Sequence, residues 1–226
     1  MTTLLALDTA TEACSVALLH NGQVFSRYAV IPRLHAQSIL PMISEVLAEA
    51  GIAKTAVDAI AFGRGPGAFT GLRIAVGVVQ GLAFALECPV LPISNLAAIA
   101  QRACREYGAK HVAVAIDARM DEVYWGCYTL LDGEVQLQGI EAVLPPERAE
   151  LPRGAADTEW FAAGTGWQAY AERIAVPVEA RAPQLLPHAV DILNLAQGMW
   201  QRGEAISAQQ AQPIYLRDQV ATPKQP

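Results

Sequence analysis

The sequence has few charged residues and no cluster of basic ones. Of its 226 residues, 17% are charged and 53% are hydrophobic, and the formal net charge is −6 at pH 7. Proteins that bind nucleic acid strongly do so mainly through grouped lysines and arginines. The composition therefore argues against strong direct binding of nucleic acid by this chain.

Features of export and of membrane insertion are also missing. No uncharged apolar run approaches the length that a membrane-spanning helix needs. The first eight residues contain no basic region and already end in a carboxylate, at Asp8, which is unlike a secretory signal. We therefore expect a cytoplasmic protein that makes no contact with a membrane.

The cysteines and histidines are too scattered to form a local disulfide or metal motif. There is no Cys-x-x-Cys pair, and each cysteine lies in an apolar stretch, which predicts buried free thiols. No two histidines lie within one helical turn, so neither a two-histidine metal face nor a His-Glu-x-x-His protease site can form locally. We expect no metal site.

The most distinctive stretch is a glycine-rich segment at 63–73, which follows an apolar strand predicted at 58–62. Four glycines and a proline in nine residues indicate positive φ angles or close packing against the backbone. Thr70 is predicted to cap the next helix, and the arginines at both ends make an anion site conceivable. A phosphate loop, however, ends in Gly-Lys-Ser/Thr, and no lysine is present. We therefore favour a structural or docking role for the segment.

Apolar periodicity predicts the other elements of the first half. Alternating residues indicate three strands in an antiparallel meander, with Asn21-Gly22 as a hairpin turn. These strands span 3–8, 13–19 and 23–30, a further strand spans 89–93, and helices span 35–50, 70–86 and 95–106.

The opening pattern returns in the second half as a strand that ends in aspartate, a turn, a second strand and a hairpin. Asp8 aligns with Asp117, and Gly22 aligns with Gly133. Such a duplication predicts two related lobes with a cleft between them. We place the N-terminal lobe at 1–108 and the C-terminal lobe at 109–226.

Three further features are expected in the C-terminal lobe. Gly164-Thr165-Gly166 forms a strand-to-helix turn, and a helix at 187–201 closes the lobe with its apolar face. The stretch 144–158 has no period and is predicted as a loop. The polar end of the chain after Arg217 is predicted to fray.

Two lobes that each begin with a strand, an aspartate and a hairpin resemble the α/β, ribonuclease-H-like fold of actin, the sugar kinases and the heat-shock ATPases. In the kinases, Asp-x-Gly turns let phosphates approach the backbone. Here the turns read Asp8-Thr9-Ala10 and Asp117-Ala118-Arg119, whose side chains stand in that space. The candidates for a nucleotide site are Asp8, Asp117, Gly164 and Gly166, although the glycine pair is equally compatible with a tight structural turn.

Within this class the chain resembles the TsaB (YeaZ) family along nearly its whole length. The resemblance lies in residues 4–18, His35 with 40–43, the glycine-rich segment 63–73 and residues 213–217. It implies a bacterial protein that supports the synthesis of threonylcarbamoyladenosine beside the anticodon of tRNAs reading codons that begin with A. The implied partners are a TsaD-like catalytic subunit and a TsaE-like ATPase. No catalytic residue or cofactor of its own is implied, and nucleotide at the partner interface stays open.

Small residues recur at four-residue intervals on the predicted helix 70–86. Each glycine inside a helix costs about 1 kcal/mol relative to alanine, so close packing has to compensate. The stripe faces either the chain's own sheet or first helix or, together with helix 35–50, two helices of a related lobe in a four-helix bundle. The resemblance favours the second arrangement, which would also let the chain form a homodimer when alone. The predicted interface residues are His35, Ile39, Met42, Arg73, Gly77, Gly81 and Ala85.

Two other functions compete with the scaffold role. A small-molecule kinase or ATPase of the same fold class would bind and hydrolyse ATP, and the Asp turns argue against it. A metalloprotease is disfavoured by the histidine spacing. The sequence does not decide whether tRNA touches this subunit.

Overall fold

The first sheet is built from the strands that alternating apolar residues predict. The computed structural model describes residues 2–154 and 158–217. β1 to β3 are antiparallel, whereas β4 and β5 run parallel to β1, in the order β3-β2-β1-β4-β5. The predicted hairpin turn is confirmed, since Asn21 and Gly22 have φ angles of 50° and 78°. The strands are β1 (Leu4–Asp8), β2 (Ala13–His20), β3 (Gln23–Val30), β4 (Ala59–Gly65) and β5 (Val90–Ser94).

Two helices cover one face of this sheet. α1 (His35–Glu49) connects β3 to β4, and α2 (Phe69–Leu86) connects β4 to β5. Their inner residues, such as Ile43 and Val79, share a core with Leu7 and its neighbours on β1 and β2. Both helices connect parallel strands, so they run in the same direction and their N-termini lie at the same edge of the sheet.

The second sheet repeats the topology of the first. Its order is β11-β10-β6-β7-β8, so β6 stands where β1 stands in the first sheet, and β9 pairs with β7. This confirms the predicted duplication and the two-lobed fold of the actin and sugar-kinase class. Asp132-Gly133 forms the matching hairpin turn, with φ angles of 50° and 87°. The strands are β6 (His111–Arg119), β7 (Glu122–Leu131), β8 (Glu134–Leu137), β9 (Ala142–Leu144), β10 (Phe161–Ala163) and β11 (Ala180–Ala182), with the short α4 (Gly166–Ala169) after β10.

Two helices form a layer between the sheets, and each packs on the sheet of the other half of the chain. α3 (Asn95–Tyr107) contacts β6, β7 and β8, whereas α5 (Ala189–Gln201) contacts β1, β2, β4 and β5. The prediction that α5 closes the C-terminal lobe is therefore wrong. The second face of the first sheet is apolar and requires a cover, which α5 provides. Arg105 of α3 makes a bidentate ion pair with the fully buried Asp191 of α5, at 2.8 and 2.9 Å.

Several predicted boundaries shift in the glycine-rich segment. β4 continues to Gly65, so residues 63–65 are strand rather than loop. The prediction that Thr70 caps α2 is wrong, because the helix begins at Phe69 after Ala68 and no side chain caps it. Ser94 caps α3, accepting hydrogen bonds from the two N–H groups that follow Asn95.

All four cysteines are free and buried, as predicted. In the described part of the predicted loop at 144–158, Leu144 ends β9 and a short 3-10 turn spans Pro146–Arg148. The end of the chain after Arg217, predicted to fray, lies outside the described residues. α2, with 18 residues and a mean hydropathy of 1.6, is long and apolar enough to cross a membrane by length and composition. Its inner face is buried against the first sheet.

Candidate functional site

The first Asp turn is closed by the chain itself. Asp8 ends β1 and is fully buried; its Oδ2 accepts a hydrogen bond from Asn95 Nδ2 at 2.5 Å, and its Oδ1 accepts one from Ala10 N at 3.2 Å. Burial raises the pKa of Asp8 to about 6, although both hydrogen bonds lower it. Gly63 has to be glycine because a Cβ there would overlap the Asp8 carboxylate. Asp8 therefore belongs to a structural network.

The glycine-rich segment packs directly on this turn, which is the close backbone packing that its glycines predicted without naming a partner. Ala68 N donates to Ala10 O at 2.7 Å, and Thr9 Oγ1 donates to Gly71 O at 2.7 Å. A Cβ on Gly71 would overlap the carbonyl oxygen of Thr9. The start of α2 is thus held against the backbone of the first Asp turn, while Ala10, Thr11 and Glu12 line an open cleft.

The second Asp turn is also satisfied by neighbouring groups. Asp117 Oδ1 accepts hydrogen bonds from Arg119 N at 2.8 Å and from Tyr170 OH at 3.2 Å, and Oδ2 pairs with Arg119 Nη1 at 3.0 Å. The N–H of Asp117 donates to Thr165 Oγ1 at 3.2 Å. The carboxylate is 17% exposed, so one part of it still faces solvent.

The two glycines near the second turn serve close packing. Gly164 has a φ angle of 98°, and a Cβ on it would overlap the carbonyl oxygen of Ala115 on β6. A Cβ on Gly166 would lie 2.7 Å from the Ala115 Cβ. Trp167, which follows them, donates from Nε1 to Ala113 O at 2.9 Å. These contacts explain the glycines without a nucleotide.

A cleft of about 600 Å³ lies between the lobes. Of the four nucleotide-site candidates only Asp117 lines it; Asp8, Gly164 and Gly166 do not. Tyr215 and Arg217 form part of its wall, and sequence reasoning assigned neither to the site. The segment that contains them was visible as a family resemblance, but nothing in its residue types placed it at the cleft.

The small-residue stripe of α2 faces outward. Arg73, Gly77, Gly81 and Ala85 are exposed, and no described atom lies within 4 Å of a Cβ built on Gly77 or Gly81. The alternative in which the stripe faces the chain's own sheet is therefore excluded. Phe84 lies beside the stripe and is 73% exposed.

The predicted positions on α1 divide between core and surface. Ile39 is fully buried among the residues of the first core, and Met42 is half-buried at its edge. His35 is the first residue of α1 and is buried; it does not cap the helix, because Leu34 holds the N-cap position. The outer surface thus keeps Met42 and the four α2 positions, whereas Ile39 belongs to the core.

Within residues 2–154 and 158–217, no group of three or more His, Cys, Asp or Glu residues could hold a metal ion. Burial raises the pKa of the Cys14 and Cys104 thiols to about 11. These groups are therefore inert side chains of the core.

Comparison with known proteins identifies the family. The family model described as "TsaD: tRNA N6-adenosine threonylcarbamoyltransferase" matches residues 27–224. The chain is 43% identical over 226 residues to the tRNA threonylcarbamoyladenosine biosynthesis protein TsaB of Escherichia coli K12, covering 99% of this chain and 98% of the relative. It is 45% identical over 234 residues to the TsaB of Haemophilus influenzae, with coverage of 99% and 97%.

Solved structures agree with the sequence comparison. YeaZ from Pseudomonas aeruginosa is 66% identical and superposes with a TM-score of 0.92 over 96% of this chain and 100% of that one. A second crystal structure, of a protein described as similar to peptidase YEAZ from the same organism, gives 66% identity and a TM-score of 0.94 with the same coverage. The chain belongs to the TsaB (YeaZ) family of tRNA threonylcarbamoyladenosine biosynthesis proteins.

Proposed function

We propose that the chain is a non-catalytic subunit that supports threonylcarbamoyl modification of the adenosine beside the anticodon by dimerising with a TsaD-like catalytic subunit. Its family already assigns it to tRNA threonylcarbamoyladenosine biosynthesis. The finer proposal includes a cytoplasmic location, a TsaE-like ATPase in the same assembly, a homodimer when the partner is absent, and no strong direct binding of tRNA.

The non-catalytic part of the proposal is supported by the two Asp turns. Asp8 is fully buried, held by Asn95, and does not line the cleft. Asp117 lines the cleft but is engaged by Arg119 and Tyr170. The carboxylate of the first Asp turn therefore cannot act together with Asp117 on a metal-bound nucleotide between the lobes, as phosphoryl transfer would require.

The partner role rests on one observation, which is the open stripe of α2. Exposed glycines inside a helix lower helix stability, and here nothing in the described chain packs on Gly77 or Gly81. A second helix can therefore approach the α2 backbone closely at these positions, with Phe84 and Met42 at its sides. Because the two lobes of this fold are related, a homologous subunit would present two helices of the same kind.

The test is to replace Gly77 or Gly81 with leucine and to titrate each variant with the TsaD-like subunit in a calorimeter. We expect the added side chain to abolish association while the far-ultraviolet circular dichroism and the unfolding midpoint stay near those of the wild type. Asn194→Leu is the matched control, because it also adds an exposed leucine to a helix, but on α5. Unchanged affinity in both glycine variants would remove this face from the interface.

A kinase or ATPase of the same fold class is the alternative, and the cleft with Asp117 on its wall is the observation in its favour. Binding of Mg-ATP by the isolated chain at micromolar affinity, together with hydrolysis, would establish it. We expect neither. A single measurement of ATP turnover by the purified chain therefore separates the two functions.

A further inference from the structure

The last described residues of the chain, 211–217, run across the first lobe to the second; we call them the C-terminal strap. Gln80 Nε2 of α2 donates to Ala211 O at 2.9 Å, and Ile214 N donates to Arg64 O of β4 at 2.7 Å. A Cβ on Gly65 would lie 2.6 Å from the Ile214 carbonyl oxygen, so the strap rests directly on the backbone of β4. The strap is thereby fixed on the first lobe.

The middle of the strap contacts the first turns of α2. The ring of Tyr215 lies 5.1 Å from that of Phe69, and the Arg73 guanidinium lies 3.6 Å from the centre of the Phe69 ring. Arg73 Nε also donates to Tyr215 OH at 3.4 Å. Since Arg73 begins the open stripe of α2, the strap and the proposed partner surface share a side chain.

The end of the strap holds the turn between β6 and β7. Arg217 Nη2 donates to the carbonyl oxygen of Arg119 at 3.2 Å and forms an ion pair with Glu122. The Arg217 side chain is only 17% exposed, so this charged contact is partly shielded from water. Arg217 thus adds a charged contact between the strap and the second lobe at the cleft, besides the core that α3 and α5 share with both sheets.

The turn that Arg217 holds is strained. Arg119, Met120 and Asp121 have φ angles of 61°, 56° and 60°, and three consecutive non-glycine residues rarely adopt this left-handed region. Side chains hold the turn in place, since Asp117 accepts from the N–H of Arg119 and Arg173 Nη1 pairs with Asp121 at 2.8 Å. Such strain raises the free energy of the turn in its present conformation. The free-energy difference to a relaxed conformation of the turn is therefore smaller.

We propose that the C-terminal strap is a latch between the lobes, and that a partner bound on the α2 surface shifts the balance between its closed and released states. The coupling part rests on the proposed function. An acidic group of the partner that pairs with Arg73 would draw the guanidinium from Phe69 and Tyr215, which weakens the hold of the strap on the first lobe. Release of the strap then frees Arg217 from the strained turn and allows the cleft to change width.

The latch is tested on the isolated full-length chain, at a dilution where light scattering shows a monomer, by the distance between the lobes. Nitroxide labels at Lys54→Cys and Glu172→Cys lie on exposed positions of different lobes, and the native cysteines are buried. We expect pulsed electron paramagnetic resonance to show that Arg217→Ala and Glu122→Ala increase the population of molecules outside the wild-type distance range by about tenfold. Loss of one partly shielded charged contact implies a change of this size. Arg202→Ala removes two exposed ion pairs, with Glu134 and Glu204, that involve no strap residue, and it should leave the distribution unchanged.

Two outcomes overturn the latch. One is an unchanged distance distribution in both Arg217→Ala and Glu122→Ala; the other is an equal broadening in Arg202→Ala. The urea midpoint of each variant confirms that it is folded. Both variants remove the ion pair between Arg217 and Glu122, and Arg217→Ala also removes the hydrogen bond to Arg119, so its effect should be at least as large.

The coupling is tested by adding the unlabelled TsaD-like subunit to the labelled wild type, with binding followed by calorimetry. We expect the population of molecules outside the distance range of the free chain to rise about fivefold or more. A partner shifts this equilibrium only if it binds the released state more tightly than the closed state. Binding without any change in distance overturns the coupling and leaves the proposed function intact. Absence of binding overturns the proposed function and the coupling together, whereas the latch is decided by the isolated chain.

Discussion

Buried ionisable residues connect the two sheets to the helices α3 and α5 between them. Asp8 and His188 are two such residues with strongly shifted pKa values. Burial raises the pKa of Asp8 to about 6, so the folded state binds a proton that the unfolded state has released between about pH 4 and pH 6. The stabilising contribution of Asp8 is therefore present at low pH and is lost as the pH rises through this window. His188, which lies on the same face of the first sheet, behaves in the reverse way.

His188 precedes α5, where its Nδ1 accepts a hydrogen bond from Val190 N and its ring stacks on Tyr28 at 4.7 Å. Burial, followed by the charges of Arg102 and Arg105, lowers its pKa from 6.5 to about 4. The unfolded state therefore binds the extra proton between pH 4 and pH 6.5. The free energy of unfolding should rise with pH in that window because of this residue.

We predict that His188→Asn removes this dependence, since asparagine keeps the capping acceptor and does not titrate. Relative to the variant, the wild type should gain up to about 3 kcal/mol of unfolding free energy between pH 4 and pH 7. Urea unfolding of both proteins at several pH values measures it. The contribution of Asp8 is common to both and cancels, so a difference that stays constant over the range contradicts the prediction.

At the scale of elements, α2 carries glycines on two faces for different reasons. Gly71 lies on the buried face, where Thr9 leaves no room for a side chain, whereas Gly77 and Gly81 lie on the exposed face with open space around them. The first glycine is required by the fold of the isolated chain. The other two destabilise the isolated helix, and their presence points to a constraint outside this chain.

This difference predicts opposite effects of the same substitution in one helix. Gly77→Ala should raise the free energy of unfolding by up to about 1 kcal/mol, because alanine favours the helix and meets no neighbour. Gly71→Ala should lower it by about 3 kcal/mol or more, because its Cβ would overlap a backbone oxygen that cannot move freely. Chemical unfolding of the three proteins gives both values. Equal effects of the two substitutions would show that the faces of α2 are not distinct.

Local signals in the sequence predicted which helices, strands and turns form. They predicted less well which of these elements pack against one another. The turns at Asn21-Gly22 and Asp132-Gly133 follow from backbone preferences of a few residues, so they are readable from the chain. The periodicity of α5 shows which side is buried but not which sheet covers it. The strap was missed as part of the cleft, because its position depends on Arg64, Phe69 and Arg119, which are distant in sequence.

At the scale of the whole molecule, the helices between the sheets make the two halves depend on each other. α3 comes from the first half and packs on the second sheet, while α5 comes from the second half and packs on the first. One continuous core contains residues of both sheets and both helices, for example Leu4, Ile99, Val114 and Ile192. The lobes are therefore duplicated in topology but not independent in stability.

Residues 1–108, expressed alone, are predicted not to fold. Without α5 the first sheet would expose Leu4, Ala6, Leu91 and their neighbours; these three residues are at most 1% exposed in the full chain. Asp191 would also no longer neutralise Arg105.

In the full chain, the four tryptophans all lie in the second half, at 125, 160, 167 and 200. Their fluorescence therefore reports that half, whereas circular dichroism reports both. We expect the two signals to show one coincident unfolding transition, because neither sheet keeps its core when the other is lost. Two separate transitions, or a cooperatively folded 1–108 fragment, would mean that the shared helices contribute little to the stability of each lobe.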